Sequence, residues 1–208
     1  MEKVNKNDFI KFSLSDFLEE IGEDAFNELV SDFSCPQDDD IVYFLKHKAV
    51  PLEKAEFHSS KTYLVGFINS LGKFSLCGYY TLSNNPFVLS DKMSKSKRKS
   101  LTEGKTNKSA ISAVLIGQLS KNYSHGLNYA IDGDDLLAFA LETISDVQHS
   151  VGLDLVYLEC KDTQKLRKFY ERNMFELYVD ANNNPIYTGK NSALLCYVAK
   201  YKNIKIIK

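Results

Sequence analysis

Residues 153–178, LDLVYLECKDTQKLRKFYERNMFELY, constrain the fold more tightly than any other stretch. Leu155, Val156, Tyr157 and Leu158 form an apolar run too short for a helix, which predicts a buried strand. Asp162 and Thr163 come next, residue types that open helices by accepting backbone N–H bonds. Phe169 and Tyr170 lie three and four residues beyond Leu166, which puts all three on one helix face. Arg172 supplies a cation where the last turn of that helix favours one. From Met174 to Tyr178 the pattern is extended again. Strand, polar turn, helix and second strand thus occupy about the shortest length that can hold them.

The same run resembles the C-terminal motif of the GNAT superfamily of N-acetyltransferases, a strand followed by Asn-x-x-Ala and then Phe-Tyr-Glu-Lys-x-Gly-Phe. Here the pattern stands as Leu158-Glu159-Cys160, Phe169-Tyr170-Glu171-Arg172 and Met174-Phe175-Glu176-Leu177-Tyr178. Thr163 replaces the common Asn, and Met174 replaces the Gly before Phe. An ordinary strand–helix–strand unit is the alternative that the residues by themselves leave open. The resemblance implies an α/β (α+β) fold with a mixed, largely antiparallel central sheet of about six or seven strands. Helices would flank that sheet, and its central strand pair would be splayed. It also implies acetyl-CoA (coenzyme A) as acyl donor and a primary amine, small or macromolecular, as acceptor. Residues 43–49, YFLKHKA, resemble a segment of the toxin-like subgroup, which adds aminoacyl-tRNA as an alternative acceptor.

A chain of 208 residues fits a single acetyltransferase-like domain, 1–208, with a basic insertion at about 84–108. No apolar run approaches the roughly 20 residues that span a bilayer. The N-terminal MEKVNKNDFIKF lacks the apolar centre of a secretory signal. Cys35, Cys77, Cys160 and Cys196 are far apart with no CxxC, so small buried thiols are expected rather than disulfides or zinc. These features together predict a cytoplasmic, reduced protein with no metal and no membrane partner; a homodimer is among the expected assemblies. The net charge of −1 hides an uneven distribution. Residues 1–60 carry 14 acidic and 6 basic side chains, whereas residues 61–130 carry 2 and 10. The middle of the chain can therefore present a positive surface to an anion.

Taken in order, Asp8–Phe12 reads as an edge strand, and a helix broken at Gly22 follows Ser13. A second helical span runs from Ile41 to about Phe57, with a kink or break expected at Pro51. Residues 61–69 and 73–82 form a hairpin about Ser70-Leu71-Gly72. Tyr79 and Tyr80 near its end are assigned to the core rather than to a substrate. Residues 84–108 contain MSKSKRK and read either as a solvated insertion or as an arm for a phosphate-bearing partner such as tRNA. No aromatic residue interleaves those charges to stack bases.

Residues 110–122, AISAVLIGQLSKN, form the best candidate for the central strand. Gly117 within it suggests a bulge or a close approach by a ligand. A helix begins near Gly133, and Asn182-Asn183-Asn184-Pro185 is a turn before a final strand at 192–201. The family resemblance implies that this central strand pairs with the pantetheine arm and that the next helix start binds pyrophosphate. That assigns the donor to Ile116, Gly117, Gln118, Leu119, Lys121, Asn122, Gly126, Gly133, Asp134 and Thr163. Extra residues before Gly133, and Asp132, Asp134 and Asp135 around it, depart from the family's loop. Tyr170 is the general acid that the resemblance implies. Glu159, His58 and His125 are weak base candidates, and the base stays unassigned. A non-catalytic acyl-CoA-binding or interaction module is the remaining alternative.

Overall fold

The computed structural model describes residues 5, 8–55, 60–105, 107–189 and 193–204, so His58 and Phe57 lie outside the described residues. The elements are β1 (Ile10–Ser13), α1 (Leu14–Glu20), α2 (Glu23–Val30), α3 (Asp39–His47), α4 (Ala49–Lys54), β2 (Lys61–Ile68) and β3 (Phe74–Asn84). Then follow β4 (Phe87–Val88), α5 (Lys95–Leu101), β5 (Ala110–Ile111), β6 (Ala113–Lys121) and α6 (Gly133–Val151). The chain ends with β7 (Leu155–Cys160), α7 (Gln164–Arg172), β8 (Glu176–Leu177), β9 (Tyr187–Thr188) and β10 (Leu194–Lys200). One eight-stranded sheet runs β1-β2-β3-β6-β7-β10-β8, with β9 also on β10, and β4 and β5 form a separate pair. Among the ladders with a described register only β6–β7 is parallel. The expected mixed, largely antiparallel sheet is present, with one short strand more than anticipated.

The chain divides into two compact units, and β6 contributes to both. The first comprises Met1–Ser83 and Gly117–Thr143. Ser13 caps α1 by accepting from Asp16 N–H (3.1 Å), and Gly22 (φ 98°) separates α1 from α2. Phe26, Phe33, Leu45, Leu64 and Tyr79 are fully or almost fully buried in its core. Tyr79 donates its hydroxyl to Ile41 O (2.7 Å), while Tyr80 hydrogen-bonds the Thr143 hydroxyl (2.7 Å), so neighbouring rings serve opposite faces. Both are core residues, as anticipated. The buried Glu53 carboxylate accepts from Lys61 Nζ (2.6 Å), Thr62 N–H (3.2 Å) and the Ser15 hydroxyl, tying α4 to β2 and α1.

Two expectations for this region need correction. The helical span after Asp38 does break, but at Lys48 rather than at Pro51. Pro51 falls in the first turn of α4, where its missing N–H has no intrahelical acceptor to serve. The long strand proposed at 110–122 is also two strands. β5 pairs with β4, whereas Ser112 interrupts the run, its carbonyl accepting from Asp154 N–H (3.1 Å) and Leu155 N–H (3.2 Å).

The second unit comprises Asn84–Ile116 and Ile144–Lys208. Its core gathers Phe87, Leu89, Met93, Tyr157, Tyr178, Cys196 and Val198. The described residues of 84–108 hold β4 and α5. Ser94 caps α5 by accepting from Lys97 N–H (3.2 Å). Arg98 holds the segment's ends together through Ser90 O (3.1 Å) and Lys108 O (3.0 Å). The four cysteines are buried and free, as expected, and no metal-binding cluster occurs among the described residues. No described helix is long and apolar enough to cross a membrane.

Candidate active site

The predicted donor-binding residues fall in both units: those from Gly117 to Asp134 follow β6, the turn after it and the start of α6 in the first, and Ile116 and Thr163 belong to the second. β6 leaves its ladder with β7 after Ile116↔Leu158, although it runs on to Lys121. Ile116 is buried, Gly117 is exposed, and Gln118, Leu119 and Lys121 are half-buried. An exposed glycine well inside a sheet is unusual, since interior strands are covered on both faces. A Cβ at Gly117 would meet only the Thr81 hydroxyl, at 3.0 Å. At Gly78 on β3 a Cβ would meet Ser120 O at 2.7 Å and the Leu136 side chain at 3.1 Å, so this glycine serves packing.

Asn122 is buried and its amide holds the chain as it leaves β6. Its Nδ2 donates to Leu76 O (2.9 Å), while its Oδ1 accepts from Ser34 N–H (3.2 Å), Ser124 N–H (3.0 Å) and the Ser124 hydroxyl (2.8 Å). Lys121 Nζ donates to Asn128 O (2.7 Å). His125 (φ 51°) and Gly126 (φ 74°) take left-handed backbone in the short 3-10 turns that follow. Gly133 opens α6, with Asp134 and Asp135 in its first turn. Orphan N–H groups at such a start attract anions, whereas these aspartates oppose a phosphate. His125 is exposed and pairs with Asp32 (3.3 Å), which leaves it a surface residue.

In the second unit Tyr170 is 7% exposed on α7, against Phe169, Phe175 and Tyr197 with ring centroids 5.0, 6.0 and 5.6 Å away. Among the described residues its hydroxyl has no hydrogen-bond partner. Burial first, and the neighbouring Cys160 second, push its pKa above that of a free phenol. Thr163 caps α7, its hydroxyl accepting from Leu166 N–H (3.3 Å). Asp162 binds Arg167 through both carboxylate oxygens (2.7 Å each), which holds its pKa below the usual carboxylate range. Glu159 is half-buried on β7 opposite Cys196.

Sequence reasoning missed Tyr197 and the Asn122 clamp. Tyr197 packs on Tyr170, and its hydroxyl donates to Glu171 Oε1 (3.4 Å). Its one sequence signal was the apolar run around it. The partners of Asn122 come from Ser34 and Leu76, too distant in sequence for any local pattern to name them.

No family model matches the chain, and no curated protein matches it. Solved structures do. A Tyr-to-Phe variant of the toxin AtaT, bound to the C-terminus of the antitoxin AtaR and acetyl-CoA, is 19% identical, covering 96% of this chain and 98% of that one, with a TM-score of 0.62. A Tyr-to-Phe variant of KacT is 20% identical over 94% and 96%, with a TM-score of 0.61. AtaT complexed with acetyl-methionyl-tRNAfMet is 22% identical over 94% and 96%, with a TM-score of 0.62. Likeness at these identities concerns architecture, and on it the chain has the GNAT-type fold of the toxins AtaT and KacT.

Proposed function

We propose that the chain is an acetyl-CoA-dependent N-acetyltransferase in which a primary amine attacks the thioester directly. The observation that carries this reading is β6, which leaves its ladder at Ile116 and continues through an exposed glycine. Backbone N–H and C=O groups freed in this way are obligatory hydrogen-bonding partners, and an amide-bearing pantetheine arm matches them. Ile116, Gly117, Gln118 and Leu119 form the arm's track. Lys121, Gly126, Gly133 and Asp134 form the stretch near its phosphates, with Asn122 fixing the turn. Thr163, which accepts from Leu166 N–H, keeps its own hydroxyl proton to donate to the cofactor.

The amine nitrogen attacks the carbonyl carbon, the C–S bond breaks, and the nitrogen's extra proton passes to solvent. A backbone N–H in the stretch 117–119 stabilises the oxyanion. Tyr170 donates a hydrogen bond to the departing sulfur. A thiolate of pKa about 8.5 is a weaker base than a phenolate of about 10, and burial of Tyr170 widens that gap. Tyr170 therefore retains its proton and stabilises the leaving group, with positioning supplying most of the rate.

A second reading makes the acceptor an aminoacyl-tRNA. It is supported by the fold shared with AtaT, seen complexed with acetyl-methionyl-tRNAfMet, and by the basic segment 84–108. Calorimetric titration with acetyl-CoA, combined with a free-thiol assay over small amines and aminoacyl-tRNAs, tests both. Thiol release with either acceptor class supports transfer and names the class. Binding without release leaves a non-catalytic acyl-CoA module, and no binding removes the proposal.

A further inference from the structure

The end of α7 departs from the usual rule for ending a helix. Phe175 N–H donates to Tyr170 O (3.1 Å) and Met174 N–H to Glu171 O (3.2 Å), the paired bonds of a Schellman cap. That cap requires left-handed backbone at Met174, which has φ 68°. Glycine is the usual occupant, because a Cβ there crowds the following carbonyl. Core burial does not account for the methionine, since Met174 is 55% exposed. Strain kept without a packing benefit points to a role for the side chain outside the fold.

Met174 lines a cleft of about 350 Å³ in the second unit. Met93, Leu101, Leu177 and Val198 give it an apolar floor, and Lys97 and Lys200 line it as well. Lys97 Nζ donates to Asn183 Oδ1 (2.6 Å) and Asp180 O (3.4 Å), and Lys200 Nζ to the Ser100 hydroxyl (3.0 Å). All three acceptors are neutral, although Lys97 also acts electrostatically on the Asp180 carboxylate and Lys200 on that of Glu103. The nearby Asp180 carboxylate is held by the N–H groups of Asn182 (2.8 Å) and Asn184 (2.9 Å). Lys95 and Lys99, one turn apart and exposed on α5, have no carboxylate partner among the described residues. Glu176 is the single carboxylate among the described lining residues, and among those residues its strand, β8, ends the sheet with β10 beside it.

We propose that this cleft docks an acidic, extended segment of a partner protein, with an apolar side chain against Met174 and carboxylates on Lys97, Lys200 and α5. The proposal does not depend on the acyl-transfer reading. Thioether side chains adapt to varied apolar groups, and a free strand edge suits an extended chain. Nucleic acid fits less well. The lining aromatic, Tyr178, is buried, and its hydroxyl accepts from Ser90 N–H (2.7 Å), so no ring in the lining is open to stack a base.

The test uses the whole chain and a fluorescein-labelled peptide of alternating Glu and Leu, read by fluorescence polarisation. We expect saturable binding that weakens about tenfold, or 1.4 kcal/mol, in Met174→Gly and again in Lys97→Glu with Lys200→Glu. Met174→Gly should at the same time raise the melting temperature, since glycine relieves the left-handed strain. Weaker binding by a more stable protein separates docking from damage to the fold. Equal affinity in Met174→Gly, equal affinity for a Lys–Leu peptide, or no binding at all overturns the proposal. So does a fall in melting temperature, tighter binding of mixed-sequence single-stranded RNA, or a dimer in sedimentation that Met174→Gly dissolves.

Discussion

Gly117 and Gly78 place the same residue type under opposite demands. Alanine at 78 would meet a backbone carbonyl at 2.7 Å, whereas alanine at 117 would meet only a rotatable hydroxyl at 3.0 Å. Gly117→Ala should therefore leave the urea midpoint nearly unchanged and weaken acetyl-CoA binding several-fold by calorimetry, because the methyl would stand in the track proposed for the donor. Unchanged affinity would remove Gly117 from the site. Tyr170→Phe removes one hydroxyl from an apolar surrounding, so the fold should tolerate it. Turnover should fall at least about tenfold with acetyl-CoA affinity nearly intact, the mark of an interaction made in the transition state. With its pKa raised, Tyr170 should impose no loss of kcat between pH 7 and 10 in the wild-type chain. The sequence named both residues through motif and composition. It did not name Tyr197, which reaches Tyr170 only through the antiparallel register that sets Tyr197 opposite Leu158.

Elements were legible wherever a local rule governs them. Ser13 and Thr163 each cap a helix by accepting from the N–H three residues on, and a polar residue before an apolar period gives that signal in the sequence. Ser94, by contrast, caps α5 ahead of a lysine-rich run with no apolar period to announce a helix. Thr163→Ala should cost about 1 kcal/mol in chemical denaturation, and Thr163→Ser should restore most of it. A loss of acetyl-CoA affinity in Thr163→Ala that Thr163→Ser does not share would show that the cap acts on the site. Local rules failed at Ser112 and Lys48. Ser112 ends a strand because its carbonyl serves Asp154 and Leu155, and no pattern around residue 112 contains those partners. Pro51 looked like the breaker but occupies a first turn, where proline is harmless.

At the scale of the molecule, the buried thiols make alkaline stability a reporter of the core. Burial raises Cys77 to about 12 and Cys160 to about 11. The unfolded chain, with thiols near pKa 8.5, therefore loses these protons first as the pH rises. Stability is at its full value below that point and declines from there through the folded values. Urea midpoints should fall from pH 8 to pH 10, and native thiols should resist iodoacetamide at pH 8 until the protein is unfolded. Sheet order was the least legible feature, because it depends on pairings between distant segments; the family resemblance implied a mixed, largely antiparallel sheet but no strand order. One consequence concerns synthesis. Both units are assembled from two separated stretches of chain, and β10, the last strand, stands between β7 and β8 in the sheet. A nascent polypeptide stalled before Leu194 would lack the strand that β7, β8 and β9 all pair with. Its second unit should be cut by protease on the ribosome and become resistant only once β10 has emerged and paired.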